Sequence, residues 1–194
     1  MEKSSGVHLR ILLSGLSGTG STTAARRIAQ DLGLRYVYGG QIFRNLARES
    51  GIELEELAES LERDPERERE IDRRLIAEGH DDNVLIESRT IGWIFPRDVP
   101  AVRIWLTCDL EERLRRVQAR EHHPRSADNL LRREASDNRR YLALYGIKPD
   151  DFTPFDLVID TTNLSVEEVV TSIETFVKKA TATPSGEPLP APML

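Results

Sequence analysis

The sequence predicts an α/β domain: a five-stranded parallel sheet with helices on both faces. Three observations predict it. Short apolar runs recur along the chain and are closed by turn-forming or polar residues. Segments with apolar residues at helical spacing separate these runs, and strands that alternate with helices pair in parallel. The first run opens into a glycine-rich turn followed by a helix, the order that a phosphate-cradling loop requires. A chain of 194 residues is the length of one domain and can bury a core.

Val7 to Leu13 (VHLRILL) is the first strand, ending at Ser14–Gly15. Thr22 to Leu32 follows as a helix with Ala24, Ala25, Ile28, Ala29 and Leu32 on one face, stopped by Gly33. Arg35 to Tyr38 is the second strand and leads through Gly39–Gly40 to a helix from about Gln41 to Glu49. Leu54, Leu57, Ala58 and Leu61 mark another helix. Asp64–Pro65 caps and starts the next, which runs through Ile71 and Leu75 to Gly79. Dense charge on these helices marks a small solvated segment, about residues 40–80. Val84 to Glu87 and Val102 to Thr107 are buried-type strands. Asp109-Leu-Glu-Glu112 has capping-box spacing and opens an arginine-rich helix. A second helix runs from about Asp128 to Leu144 and ends at Gly146, so that residues 110–145 form a hairpin able to act as a lid. Leu157 to Asp160 is the fifth strand, and Ser165-Val-Glu-Glu168 caps the last amphipathic helix. Residues 1–179 therefore form a single domain, and the Pro-, Ala- and Thr-rich tail 180–194 reads as disordered.

Composition narrows the function classes. No apolar run approaches the roughly 20 residues that span a membrane, and the N-terminus lacks the features of a signal peptide. Cys108 is the only cysteine, which excludes an intrachain disulfide or a cysteine-based zinc site, fits a reducing cytoplasm, and suits a small buried side chain at a strand end. A net charge of −6 argues against binding long nucleic acids. Yet nine arginines and only four carboxylates lie between Arg113 and Arg140, with no lysine. Such an excess in an acidic protein suggests a site for a small polyanion; the plain alternative is a solvated helix face.

Ligands on parallel sheets bind beyond the carboxyl ends of the strands. At the first such junction, Gly15-Leu16-Ser17-Gly18-Thr19-Gly20-Ser21-Thr22-Thr23 follows the pattern G-x-x-x-x-G-K-[ST] except that Ser21 stands in the place of lysine. Its backbone N–H groups and the following helix N-terminus can still cradle phosphate, and Thr22 carries the hydroxyl that holds Mg2+. At the second junction, Gly40 lets the chain turn close to Arg44, which either grips a phosphate or is an ordinary exposed arginine. At the third, Glu87-Ser88-Arg89 closes a buried strand, either as a binding pair or as a structural ion pair. Arg113, Arg116 and Arg120 share one helix face. Arg133, Asp137 and Arg140 occupy the second lid helix, and His122 and His123 lack a convincing set of partner ligands and read as solvent-exposed.

GLSGTGSTT, YGGQIFR, VLIESRTIGW, IWLTCDLEERLRRVQARE, REASDNRRYLALYG and FDLVIDTTNLSVEEVV, in this order, resemble the cytidylate kinases, in particular the short archaeal-type form. The resemblance runs from about Leu9 to Lys179. It implies an adenylate-kinase-like P-loop fold and transfer of the terminal phosphoryl group of ATP to CMP or dCMP. It places ATP phosphates on Gly15–Thr23, puts the acceptor phosphate near Arg44 and Arg89, and makes Arg133 and Arg140 lid arginines, with R-E-x-x-D-x-x-R close to the family's R-D-x-x-D-x-x-R. Ser88 and Thr90 depart from the bacterial D-G-R-D motif and Ser21 from the usual lysine, although some archaeal-type members carry a small hydroxyl residue there.

The expected reaction needs no general base, because a nucleotide phosphate with a second pKa of about 6 is already largely ionised at neutral pH. It needs positioning and cations. The four lysines, Lys3, Lys148, Lys178 and Lys179, lie outside the site segments. Arg133, Arg140 or Arg116 is therefore expected to supply the charge missing at Ser21 and to be catalytic, with Mg2+ on Thr22. The expected partners are ATP and CMP or dCMP, with no long nucleic acid and no membrane, for a monomer in the cytoplasm. The alternatives are a small P-loop kinase acting on AMP, UMP or a non-nucleotide acceptor, or a catalytically weak nucleotide-binding regulator.

Overall fold

Five parallel strands in the order β2-β3-β1-β4-β5 form the sheet of the computed structural model, which describes residues 9–52, 54–121 and 126–182. The strands are β1 (Arg10–Gly15), β2 (Arg35–Tyr38), β3 (Val84–Glu87), β4 (Val102–Thr107) and β5 (Leu157–Asp160). Central β1 pairs with β3, with Leu13 opposite Glu87, and with β4, with Gly15 opposite Leu106. The two-residue period of a strand splits its side chains between two cores. Ile11 and Leu13 pack with Ala24, Ala25 and Ile28 of α1 (Ser21–Asp31) and with Val169, Val170 and Ile173 of α8 (Val166–Ala182). Leu12 joins the opposite core with Ala47 of α2 (Gly39–Ser50), Leu57 and Leu61 of α3 (Leu54–Arg63), and Ile71 and Leu75 of α4 (Pro65–Glu78). The β-branched strand and helix residues here are almost wholly removed from water, each contributing about 1.5–3 kcal/mol.

Local chemistry sets the ends of several elements. Asp64 accepts from the Glu66 N–H at 3.1 Å and Pro65 occupies the first turn of α4. Ser165 and Glu168 close their capping box: the Ser165 N–H donates to Glu168 at 2.8 Å, and the Glu168 N–H donates to the Ser165 hydroxyl at 3.3 Å. The same spacing at Asp109 closes differently. There the Asp109 N–H donates to the Thr162 hydroxyl at 2.9 Å, while Glu112 is taken by Arg115 and Arg116 on α6 (Leu110–Glu121). Two nearby guanidiniums outcompete a single backbone N–H for a carboxylate.

Other differences from the sequence expectations have local causes. β1 runs on to Gly15, and α2 begins at Gly39 instead of Gln41. The one-turn helix α5 (Ile91–Ile94) was not foreseen, since four residues show no periodicity. It is fixed by the Gly92 N–H, which donates to Ser14 at 3.1 Å, and by a close approach: a Cβ on Gly92 would come within 2.1 Å of Phe155. α8 continues through Ala182, three residues into the expected tail, with Thr181 donating to the Val177 carbonyl at 2.9 Å. The rest of that tail, along with Val7, His122 and His123, lies outside the described residues. Cys108 is buried just beyond β4, as expected for a small side chain at a strand end. No helix among the described residues is long and apolar enough to cross a membrane.

Arg10 closes the amino end of the sheet although only 6% of it is exposed. Its guanidinium donates to the carbonyls of Gly79, of Pro100 at 2.7 Å, and of His80 and Asp81 at 3.3 Å, and it pairs with Asp82 at 3.2 Å. Methionine could fill the volume but would leave these acceptors without a donor. Arg10→Met is expected to cost about 3 kcal/mol, read as a lower urea midpoint at unchanged slope.

Candidate active site

The glycine-rich loop is braced by its own residues and by the elements around it. Thr19 is buried and donates to the Leu16 carbonyl at 2.8 Å, and Thr161 at the end of β5 donates to the Thr19 carbonyl at 2.9 Å. A Cβ on Gly15 would come within 2.8 Å of the Thr19 hydroxyl and 3.0 Å of the Leu106 carbonyl, which explains the first glycine. Gly18 and Gly20 have φ of +89° and +87°, where only glycine is unstrained. Gly20 is the N-cap of α1 and brings no side-chain acceptor to the first turn. The first-turn N–H groups and the positive end of the helix can therefore serve an anion.

Glu87 gathers the polar side chains of the loop. Ser21 and Thr22 both donate to its Oε1, at 2.8 and 2.7 Å, and Tyr36 on β2 donates to Oε2. Burial first, and the bond to Glu87 second, raise the Tyr36 pKa, so the phenol stays protonated and donates. Thr23 points to solvent on α1. The hydroxyl pair that a metal ion would use thus lies against a carboxylate, with Thr22 and Glu87 close enough to act together. Hard oxygen ligands of this kind fit Mg2+, which takes few protein ligands and completes its shell with phosphate oxygens and water. Among the described residues, no cluster of His, Cys, Asp and Glu is arranged to hold a metal by itself.

Arg89, two residues beyond Glu87, crosses to the loop and donates to the Ser17 hydroxyl at 2.9 Å. It forms an ion pair with Asp137 on α7 (Ser126–Tyr145). Asp137 in turn accepts from Arg140 at 2.7 Å, and Arg140 donates to Glu68 of α4 at 2.6 Å. This chain of alternating charges joins the end of β3, α7 and α4. Burial lowers the Arg89 pKa, and the charge of Arg133 acts in the same direction. Arg133 itself is exposed on α7.

The arginines named from sequence thus take different positions. Arg116 donates to the carbonyls of Gly18 at 3.4 Å and Thr161 at 2.8 Å and pairs with Glu112, so it supports the loop from behind. With Arg115 it draws the Glu112 carboxyl down to about 2, the hydrogen bond from Arg115 being the larger cause. Arg44 is exposed on α2, with its guanidinium over the Tyr38 ring at 5.1 Å, and a Cβ on Gly40 would meet the same ring at 2.6 Å. Glu87, Arg89 and the loop come together; Arg44 and Gly40 form a separate cluster with Tyr38. Arg113 plays a larger part than its spacing shows. It is buried, donates to the Ser17 carbonyl at 3.2 Å, and forms a two-pronged pair with Glu134 at 2.5 and 3.2 Å.

A family model described as the cytidylate kinase-like family matches residues 10–163. The chain belongs to this family. The cytidylate kinase of Pyrococcus horikoshii is 40% identical over 163 residues, covering 83% of this chain and 84% of its own. That of Methanocaldococcus jannaschii is 39% identical over 163 residues, covering 82% and 92%. Among solved structures, a shikimate kinase from Bacteroides thetaiotaomicron superposes with a TM-score of 0.59 at 16% identity over 88% of this chain and 98% of its own. A gluconokinase from Sinorhizobium meliloti 1021 does so with a TM-score of 0.59 at 14% identity over 91% and 95%. At such identities these two show the shared kinase fold alone.

In this family member, Gly18 is where α6 presses on the loop: an added Cβ would sit 2.7 Å from the Arg113 carbonyl oxygen. Gly20 has a similar φ but open space around it. Gly20→Ala should cost about 1 kcal/mol from backbone strain alone. Gly18→Ala should cost at least about twice that, read by urea unfolding without ligand, because the loop must also move off α6.

Proposed function

We propose that the chain is a cytidylate kinase, transferring the terminal phosphoryl group of ATP to CMP or dCMP to give CDP or dCDP. The observation that carries this is the 2.9 Å contact between Arg89 and Ser17. It joins an arginine suited to the acceptor's phosphate with a loop suited to the donor's, in a chain about 40% identical to cytidylate kinases over most of its length. ATP phosphates would rest on the backbone of residues 15–23. The acceptor phosphate would lie on Arg89, with the exposed Arg44 and Arg133 free to approach it. The helices over residues 39–78 then act as the monophosphate-binding segment, and α6 with α7 as the lid.

The acceptor's attacking oxygen is already ionised, so the protein's task is alignment and neutralisation. Thr22 and Glu87 would hold Mg2+, which would offset charge on the phosphates. Arg89 reaches the loop through the Ser17 hydroxyl from the end of β3, while Arg113 and Arg116 brace it through the Ser17 and Gly18 carbonyls and Arg140 is held by carboxylates. Arg89 therefore takes over the charge missing at Ser21, and Arg140 acts by holding Asp137 against Arg89. A single buried cysteine and a net charge of −6 suit a cytoplasmic enzyme, which we take to act as a monomer.

One observation favours a second reading, a nucleotide-binding regulator: the residue in the lysine position donates to Glu87 and brings no charge to the loop. A panel of CMP, dCMP, UMP and AMP with ATP, run with and without Mg2+, separates the two. The expected product is CDP, dependent on Mg2+, with turnover in Arg89→Gln falling about a hundredfold or more. Binding of ATP and CMP with no ADP formed would identify the regulator instead, and product from AMP but not CMP would identify a different kinase.

A further inference from the structure

Tyr36 and Tyr38 lie two residues apart on β2 and so point to one face of the sheet, which Glu87, paired in register with Tyr38, also occupies. Their rings stack with centroids 6.4 Å apart and planes 10° from parallel, and Tyr36 packs against the core built on β1, α1 and α8. The phenol is therefore held in place by the sheet. Its hydroxyl donates to Oε2 of Glu87, while Oε1 of the same carboxylate accepts from Ser21 and Thr22 at 2.8 and 2.7 Å. Glu87 is only 5% exposed, and no lysine, arginine or histidine among the described residues pairs with it. Its charge is met by neutral donors alone. A buried carboxylate so placed is costly until a cation reaches it.

We propose that Tyr36 is a positioning residue that keeps Glu87 a one-oxygen ligand and thereby favours Mg2+ over Ca2+ at the nucleotide site. This rests on the reading above in which Thr22 and Glu87 hold the metal of ATP. The two carboxylate oxygens have supports of different stiffness. Ser21 and Thr22 hold Oε1 through aliphatic hydroxyls, which rotate freely and can release its lone pairs without any backbone movement. Tyr36 lacks that freedom, because its oxygen moves only with a ring fixed by Tyr38 and the core. Oε2 therefore stays engaged, and Oε1, on the loop side beside Thr22, is the oxygen left for a metal. Mg2+ suits such a site, since it takes few carboxylates and fills its octahedral shell with phosphate oxygens and water. Ca2+ is larger, takes more oxygens and readily draws a carboxylate in through both of them.

Tyr36→Phe keeps the ring, its stack on Tyr38 and its place in the core, and removes only the hydroxyl. Oε2 is then free to turn, and both oxygens become available to a large cation. Loss of a plain structural support would weaken binding with either metal alike. Loss of control over the carboxylate shifts one metal against the other. The ratio between the two metals therefore separates positioning from support.

The test measures by calorimetry, with no turnover involved, the Kd for the ATP analogue adenylyl imidodiphosphate in saturating Mg2+ and in saturating Ca2+. The wild type should bind the Mg2+ complex more tightly. In Tyr36→Phe the ratio of the two Kd values should fall about tenfold, the effect of one hydrogen bond to a charged group. A melting curve confirms that the variant folds. Infrared difference spectra of the wild type read the same feature without it, with Glu87→Gln used to identify the band. A wide separation of the two carboxylate stretches marks ligation through one oxygen and is expected with Mg2+; a narrow one marks ligation through both. An unchanged Kd ratio in folded Tyr36→Phe, a wild type with no preference for Mg2+, or a narrow separation in the wild type overturns the assignment. Equal binding of the analogue with and without a divalent metal overturns the metal reading on which it rests.

Discussion

The parallel register of β1 and β3 is the constraint on which the site depends. With Leu13 opposite Glu87, the strand that feeds the glycine-rich loop and the strand that carries the acidic residue end at the same height. The loop must then curl over the end of β3, which brings Ser21 and Thr22 onto Glu87. The chain leaving β3 places Arg89 against Ser17 from the other side. A slip of one residue would turn Glu87 to the opposite face of the sheet and dissolve all three contacts. The buried strands beneath, with Ile11, Leu12, Leu13, Leu85 and Ile86 shut off from water, hold that register rigid.

Above this rigid edge a chain of charges links the helices as well as their apolar contacts. Arg89, Asp137, Arg140 and Glu68 alternate in sign across three parts of the fold, and the Tyr145 hydroxyl adds a hydrogen bond to Asp72 between α7 and α4. Partly buried pairs of this kind add little net stability, because desolvation of the ions offsets their attraction. They do specify geometry. Guanidiniums held by ion pairs can exchange one anion for another, and on the proposed reading a substrate phosphate would compete with Asp137 and Glu68 for them. Part of the arginine excess between residues 113 and 140 is thus matched in the fold by carboxylates outside it, Glu112, Glu62 and Glu68.

That matching explains what could be read from the sequence. β2, β3, β4 and β5 occupy the segments expected for them, since each is a short apolar run between turn residues. The loop was legible because glycine spacing encodes its backbone. Helical spacing showed that Arg113, Arg116 and Arg120 share a face, but not that Arg113 turns inward to Glu134 while Arg116 caps the carbonyls of Gly18 and Thr161. The partners of Arg140 and Asp72 on the opposing helices are 72 and 73 residues away. Periodicity carries no information about such pairs. The capping box expected at Asp109 does not close, because Arg115 and Arg116 take Glu112 and the Asp109 N–H finds its acceptor on Thr162, 53 residues away.

The same geometry accounts for serine at position 21. A lysine there would project beside Glu87, whose Oε1 already accepts from Ser21 at 2.8 Å, and an ammonium so close to a carboxylate would be drawn into an ion pair. Serine instead leaves the carboxylate to hydroxyl donors, from Ser21, Thr22 and Tyr36, all neutral. Positive potential at the loop then comes from backbone N–H groups, the end of α1 and the guanidiniums of Arg89, Arg113 and Arg116. The first two belong to the loop itself; Arg89 belongs to the strand end that also meets α7. On the proposed reading, a donor nucleotide meets the full set of cations only where the acceptor's arginine is in place, so the two halves of the reaction share one charge. On that reading, serine at position 21 leaves the decisive cation at the boundary between donor and acceptor.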